Sequence, residues 1–255
     1  MVETIEICCD NIYSCIAAET ESVDRIELCS SLEMGGLTPS AGLIKRSREV
    51  FSSDIHVLIR PRGGDFLYST SDLKVILSDI DFCCESGIDG IVFGALNKDG
   101  LIDSDLCEDI IDYVHEKGMS FTFHRAFDLT PNLLDSLDIL VKIGADRVLT
   151  SGGRVSAYDG RDTIAQLVKM GQGRIGIIAG GGVRSENVSE IVCSAGVREI
   201  HLSASVDVET KMIYRDQPFH FSNNEKGDFF VKVSDNKVIQ SVVKSLQSKG
   251  LYKVL

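Results

Sequence analysis

The sequence predicts a single α/β domain built as one (β/α)8 barrel, and three observations carry that expectation. The chain has 255 residues and 27.8 kDa, the usual size of such a barrel. Eight short runs rich in Val, Ile and Phe alternate with eight stretches of helical period, the signature of βαβ units around a parallel sheet. A faint internal repeat, Val23-Asp24-Arg25-Ile26, Ile88-Asp89-Gly90-Ile91, Ala145-Asp146-Arg147-Val148 and Val197-Arg198-Glu199-Ile200, enters alternate strands in one way. A doubly wound open sheet is the weaker alternative.

In chain order, strands are expected near 3–8, 24–29, 55–60, 89–94, 119–124, 146–150, 174–179 and 198–203. Helices are expected near 11–20, 40–50, 71–86, 104–117, 131–143, 161–171, 185–194 and 235–248, with Ser185 as N-cap of the seventh. Residues 206–234 break any long period at Pro218, Asn223-Asn224 and Gly227-Asp228, so an irregular excursion is expected before the last helix. No Pro-rich, Gly/Ser-rich or charge-block linker marks a domain boundary.

Composition narrows the function classes. Thirty-eight acids against 26 bases give a net charge of −12, which repels phosphate backbones and anionic lipid, so neither nucleic acid nor a membrane is expected as a partner. The chain has no apolar run long enough to span a bilayer, and Met1-Val2-Glu3-Thr4-Ile5-Glu6 does not begin a secretory signal. A cytoplasmic or also nuclear location is therefore expected, with the eight cysteines reduced. A homo-oligomer is expected. Walker A, paired CxxC and HExxH patterns are absent from the sequence.

Strand parity locates a site. Ile5 and Ile7 suit the helix layer, which turns Glu6 and Cys8 into the barrel; Ile26 and Leu28 do the same for Arg25, Glu27 and Cys29. Val57 and Ile59 leave Arg60 inward, Phe121 and Phe123 leave Thr122 and His124, and Ile200 and Leu202 leave His201 and Ser203. Barrel interiors are ordinarily layers of branched aliphatics. This inward set is polar and lies toward the carboxyl strand ends, where barrel enzymes hold their chemistry. The structural alternative is internal ion pairing, for instance Glu27 with Arg60.

Two loops suit an anion. Ala179-Gly180-Gly181-Gly182-Val183 leads from the seventh strand toward a helix, the usual place in this fold for a backbone cradle of phosphate or carboxylate, with Ser151-Gly152-Gly153-Arg154 beside it. Arg60-Pro61-Arg62-Gly63-Gly64-Asp65-Phe66 presents two guanidinium forks in an acidic chain.

The strings Arg25-Ile26-Glu27-Leu28-Cys29, Gly35-Gly36-Leu37-Thr38-Pro39-Ser40, Ile59 to Phe66, Thr122-Phe123-His124-Arg125-Ala126-Phe127-Asp128, Leu149-Thr150-Ser151-Gly152 and Gly180-Gly181-Gly182-Val183 closely resemble the CutC family, called copper homeostasis proteins. The resemblance runs over about residues 3–205. It implies a TIM-type barrel, a role in cytosolic copper handling, Cu(I) as the ligand, and Cys8 and Cys29 as the residues that hold it. Two inward thiols on neighbouring strands, roughly 4.8 Å apart, can share one ion, and soft thiolate is what Cu(I) selects. Ala179 stands where the family often has proline. Ser205 stands where it usually has arginine, which removes one cation from that end of the barrel.

The residues themselves support a second reading, an enzyme acting on a small anionic metabolite. In it Glu27 or Glu6 is general base, His124 or His201 general acid, Arg60 and Arg62 the substrate clamp, and Gly180, Gly181, Gly182 and Ser151 the anion cradle. A third reading gathers Glu6, Glu27, His124 and His201 around a hard metal ion.

Overall fold

The computed structural model describes residues 1–216, 218–219 and 227–253. Eight parallel strands close in sequence order into a barrel: β1 (Thr4–Cys9), β2 (Arg25–Leu28), β3 (Asp54–Leu58), β4 (Gly90–Phe93), β5 (Ser120–Phe123), β6 (Arg147–Thr150), β7 (Gly176–Gly180) and β8 (Glu199–Leu202). Helices α1 (Ile12–Thr20), α2 (Ala41–Val50), α3 (Thr70–Glu85), α4 (Ser104–Glu116), α5 (Leu133–Lys142), α6 (Arg161–Gly171), α7 (Val188–Ala195) and α8 (Asn236–Ser248) cover its outside. The (β/α)8 barrel expected from the alternation is the one observed. No helix among the described residues is long and apolar enough to cross a membrane.

Side-chain parity divides the interior into two apolar clusters. The large one joins the outward strand residues, such as Ile5, Ile7, Ile26, Leu28, Phe121 and Phe123, to the helices. The small one lies inside the barrel, where Cys8, Cys29, Leu58 and Val92 are buried together with Leu32 packed against them. Cys9, one residue from Cys8, belongs to the outer cluster, as period-two geometry requires. Leu149 and Ile178, paired across β6 and β7, are also turned inward and buried, much of the remaining inner face is polar, and small residues make room for it. A methyl on Gly90 would lie 2.5 Å from the His56 ring, so glycine at that register lets the imidazole fill the barrel floor.

Polar caps fix most helix starts. Asn11, Ser40, Asp103, Asn132 and Asp235 each accept backbone N–H groups from the first turn, and Ser69 with Asp72 forms a reciprocal capping box. Two expectations need correction. Ser185 is not the N-cap of α7, which begins at Val188: the Asn187 side chain accepts from Arg184 N–H and donates to the Gly182 carbonyl, keeping 182–187 as a separate turn. The segment 206–234 is not irregular throughout. β9 (Ser205–Glu209) and β10 (Phe230–Ser234) pair as an antiparallel ribbon that packs on α1. Asn223-Asn224 lies outside the described residues.

Candidate functional site

On the barrel floor and middle, charge is paired. Arg25, 3% exposed, sends Nε to Glu6 and Nη2 to Glu199 at 2.6 Å, and Arg147 Nε reaches Glu199 at 3.5 Å. The other Glu6 oxygen takes the His201 ring at Nδ1, 2.6 Å away. Burial works against a charged Glu6, yet Arg25 and His201 together hold its carboxyl well below the usual range. Glu6 is thus tied on both oxygens as a positioning group for His201, and is not available as the base or ligand that its inward position suggested.

Above this network lie the thiols. Cys8 and Cys29 sulfurs stand 3.7 Å apart inside the barrel, on neighbouring strands. Cys8 also points to Glu27 at 3.8 Å. One ligand atom from each of Cys8, Glu27 and His201 falls within 4.8 Å of the others. The Cys29 hydrogen bond and burial push the Cys8 thiol up. Burial also raises Glu27, against the pull of the neighbouring imidazolium. Burial opposes charge on His201, but Glu27, Cys8 and Glu6 raise its pKa well above the ordinary value, so this ring is the proton-bearing histidine of the site.

The other expected residues are arranged differently. Arg60 does not pair with Glu27: its guanidinium donates to the carbonyls of Met34, Gly36 and Gly64 and lies over Phe66. His124 packs edge-on against the same Phe66, its Nδ1 accepts from Ala126 N–H, and burial drops its pKa to about 3. A neutral ring does not carry the proton that an imidazolium acid needs, whereas the His201 pKa is raised. Glu27, Arg60 and His124 therefore form two groups rather than one. Likewise the hard-metal set is not assembled: Glu6 is bound by Arg25, and Cys8 stands where His124 was expected. Arg62 is turned back on its own loop, with Asp65 at 3.0 Å, the Leu67 carbonyl at 2.6 Å and Asp72 at 3.7 Å.

A cavity of about 190 Å³ opens beside the thiols, lined by Cys8, Leu32, Arg125, the turn Gly181 to Arg184, and His201 to Ser203. The arginines that line it are Arg125 and Arg184, not Arg62. Gly180 faces Leu149 and His201 below the turn, and Ser151 is buried under the cavity wall, accepting from Arg125 at 2.7 Å and bonded to Asp128. Sequence reasoning missed Arg125, although it follows His124, and His56, which the parity that placed Arg60 also turns inward.

Comparison with known proteins places this geometry among relatives. The CutC family's sequence model matches residues 3–206. The family protein CutC of Aliivibrio fischeri is 40% identical over 238 residues, 93% of this chain and 96% of its own. That of Parabacteroides distasonis is 44% identical over 218 residues, 85% and 89% of the two chains. The solved structure of CutC from Streptococcus agalactiae, named for copper homeostasis, is similar with a TM-score of 0.74 and 33% identity over 80% of this chain and 99% of that one. N-(5'-phosphoribosyl)anthranilate isomerase from Pyrococcus furiosus, at a TM-score of 0.55 and 14% identity over 96% of this chain and 98% of its own, shares the fold alone.

Proposed function

The chain belongs to the CutC family, and from that premise we propose that it holds a copper ion, as Cu(I), between the thiolates of Cys8 and Cys29 at the carboxyl end of the barrel. The observation that carries this reading is the pair of buried sulfurs 3.7 Å apart on adjacent strands. With metal–sulfur bonds of about 2.3 Å, the length in zinc thiolates, that spacing subtends about 107° at the ion. A linear two-sulfur ion would need about 4.6 Å at the same bond length, so the spacing favours a bent site with a further donor. His201 is that donor: Glu6 holds its Nδ1 and leaves Nε2 for the ion, while Glu27 lies in the same cluster. Copper as the ion is supported by the softness of two thiolates and by the name of the Streptococcus agalactiae relative. A cytoplasmic location suits the reading, because the site needs reduced thiols. Titrating the protein with Cu(I) against a chromogenic chelator tests it. One ion per chain is expected, lost in Cys8→Ser/Cys29→Ser; unchanged stoichiometry in that variant would move the ion to other thiols, Cys83-Cys84 first.

A second reading is favoured by the cavity that Cys8 and His201 line, with Glu27 behind them in the same cluster: an enzyme for a small anionic metabolite, with Glu27 as base and His201 as acid. Both pKa values are displaced by their surroundings, which is how a carboxylate and an imidazole come to hold opposite proton roles in one site. Glu27→Gln would keep ligand binding and lose turnover.

A further inference from the structure

We propose that the cavity at the carboxyl ends of β7 and β8 binds a phosphoryl group, supplied as free phosphate or as the head of a small phosphate monoester. This deepens the anionic-metabolite reading and does not depend on copper. Gly181 and Gly182 turn the chain with φ of +103° and +67°. The N–H groups of Gly181, Gly182 and Val183 donate to no acceptor among the described residues. Successive amides in such a turn form a concave donor surface for an oxyanion. A methyl on Gly181 would lie 3.3 Å from Arg125 Nη1, so that guanidinium lies across the turn. Asp128 at 2.9 Å holds its Nε, and Ser151 and the Arg154 carbonyl hold its Nη2, which aims the fork and leaves Nη1 uncommitted.

Arg184, exposed and with Glu186 as its electrostatic neighbour, adds a second cationic side chain to the cavity lining. Ser203 adds a hydroxyl, 3.2 Å from that of Ser205. Among the described residues no aspartate or glutamate lines the cavity, in a chain whose net charge is −12. Three amides, a hydroxyl and the Arg125 guanidinium, with Arg184 on the cavity lining, suit the three oxygens of a tetrahedral phosphoryl group; a planar carboxylate, with two oxygens, leaves donors unmatched. A monoester seated there has its organic part beside Cys8 and His201, which line the same cavity.

Calorimetry on the full chain at constant ionic strength, with potassium phosphate and separately with ribose 5-phosphate, tests the assignment. Saturable binding of either probe, weakened about fivefold to tenfold in Arg184→Gln with an unchanged melting temperature, is expected. Arg62→Gln, outside the cavity, is expected to bind like the wild type. Tighter binding of ribose 5-phosphate than of phosphate identifies a monoester as the source, and equal binding identifies phosphate itself; both support the site. No saturable binding up to about 10 mM, or equal affinity in Arg184→Gln, overturns it. If succinate binds through Arg184 and neither phosphate probe does, the phosphoryl assignment is overturned while the anionic-metabolite reading stands.

Discussion

Replacing Arg25 with methionine tests the physical basis of the site most severely. Arg25 is 3% exposed and neutralises two carboxylates, Glu6 at 1% exposure and Glu199. Breaking a buried pair by removing one partner costs about 3–5 kcal/mol, because a charge is left without compensation. Here His201 remains on Glu6 and Arg147 on Glu199, so the lower end, about 3 kcal/mol, is expected. For a domain of this size that lowers the melting temperature by about 6–12 °C at pH 7. The sign with pH follows from Glu6, whose folded pKa is depressed. Its contribution is present above the unfolded carboxylate value of about 4.3 and is lost as pH falls through the folded value. The gap between wild type and Arg25→Met is therefore widest near neutrality and narrows below about pH 4. Glu6→Gln combined with Arg25→Met removes a charge from each side and recovers part of the loss. Thermal melts at pH 7 and at about pH 3 read all three. A neutral-pH shift below about 2 °C, or a gap that widens in acid, would refute the reasoning.

Ion binding at Cys8 and His201 displaces protons, because both groups have raised pKa values and bind a metal only when deprotonated. Cu(I) affinity is expected to rise by at least about two log units per pH unit near neutrality, measured by calorimetry in buffers of different ionisation enthalpy; a pH-independent affinity contradicts it. Gly36→Ala is expected to destabilise by about 2 kcal/mol in urea unfolding and to disturb the thiol pair, since φ is +87° and the methyl would lie 2.7 Å from Leu58 and 3.7 Å from Cys29 Cβ. Arg62→Gln is expected to leave the melting temperature unchanged within the error of a thermal melt, because its ion pair with Asp65 is local and exposed; a clear drop would contradict this.

The barrel was legible because each strand carries a period-two pattern bounded by turns, and the same parity turned Cys8, Glu27, Cys29 and His201 inward without any contact information. What parity cannot give is partnership. Glu6, Glu27, Arg60 and His124 all point inward, but whether Arg60 meets a carboxylate or loop carbonyls depends on how residues 30–40 fold over it. Arg62 reads as a free cation until Asp65 and Asp72 are brought back onto it. The ribbon strand Ser205–Glu209 does alternate at Val206 and Val208, a usable signal. Its partner follows only after twenty intervening residues, so no hairpin turn marked the pair.

X-ray absorption at the copper edge on Cu(I)-loaded protein tests the central claim directly. Two sulfur neighbours at about 2.3 Å with one nitrogen or oxygen neighbour are expected, and the sulfur shell is expected to vanish in Cys8→Ser/Cys29→Ser. A spectrum with nitrogen and oxygen neighbours only, or a sulfur shell that survives in the double variant, would contradict a copper site at the two barrel thiols.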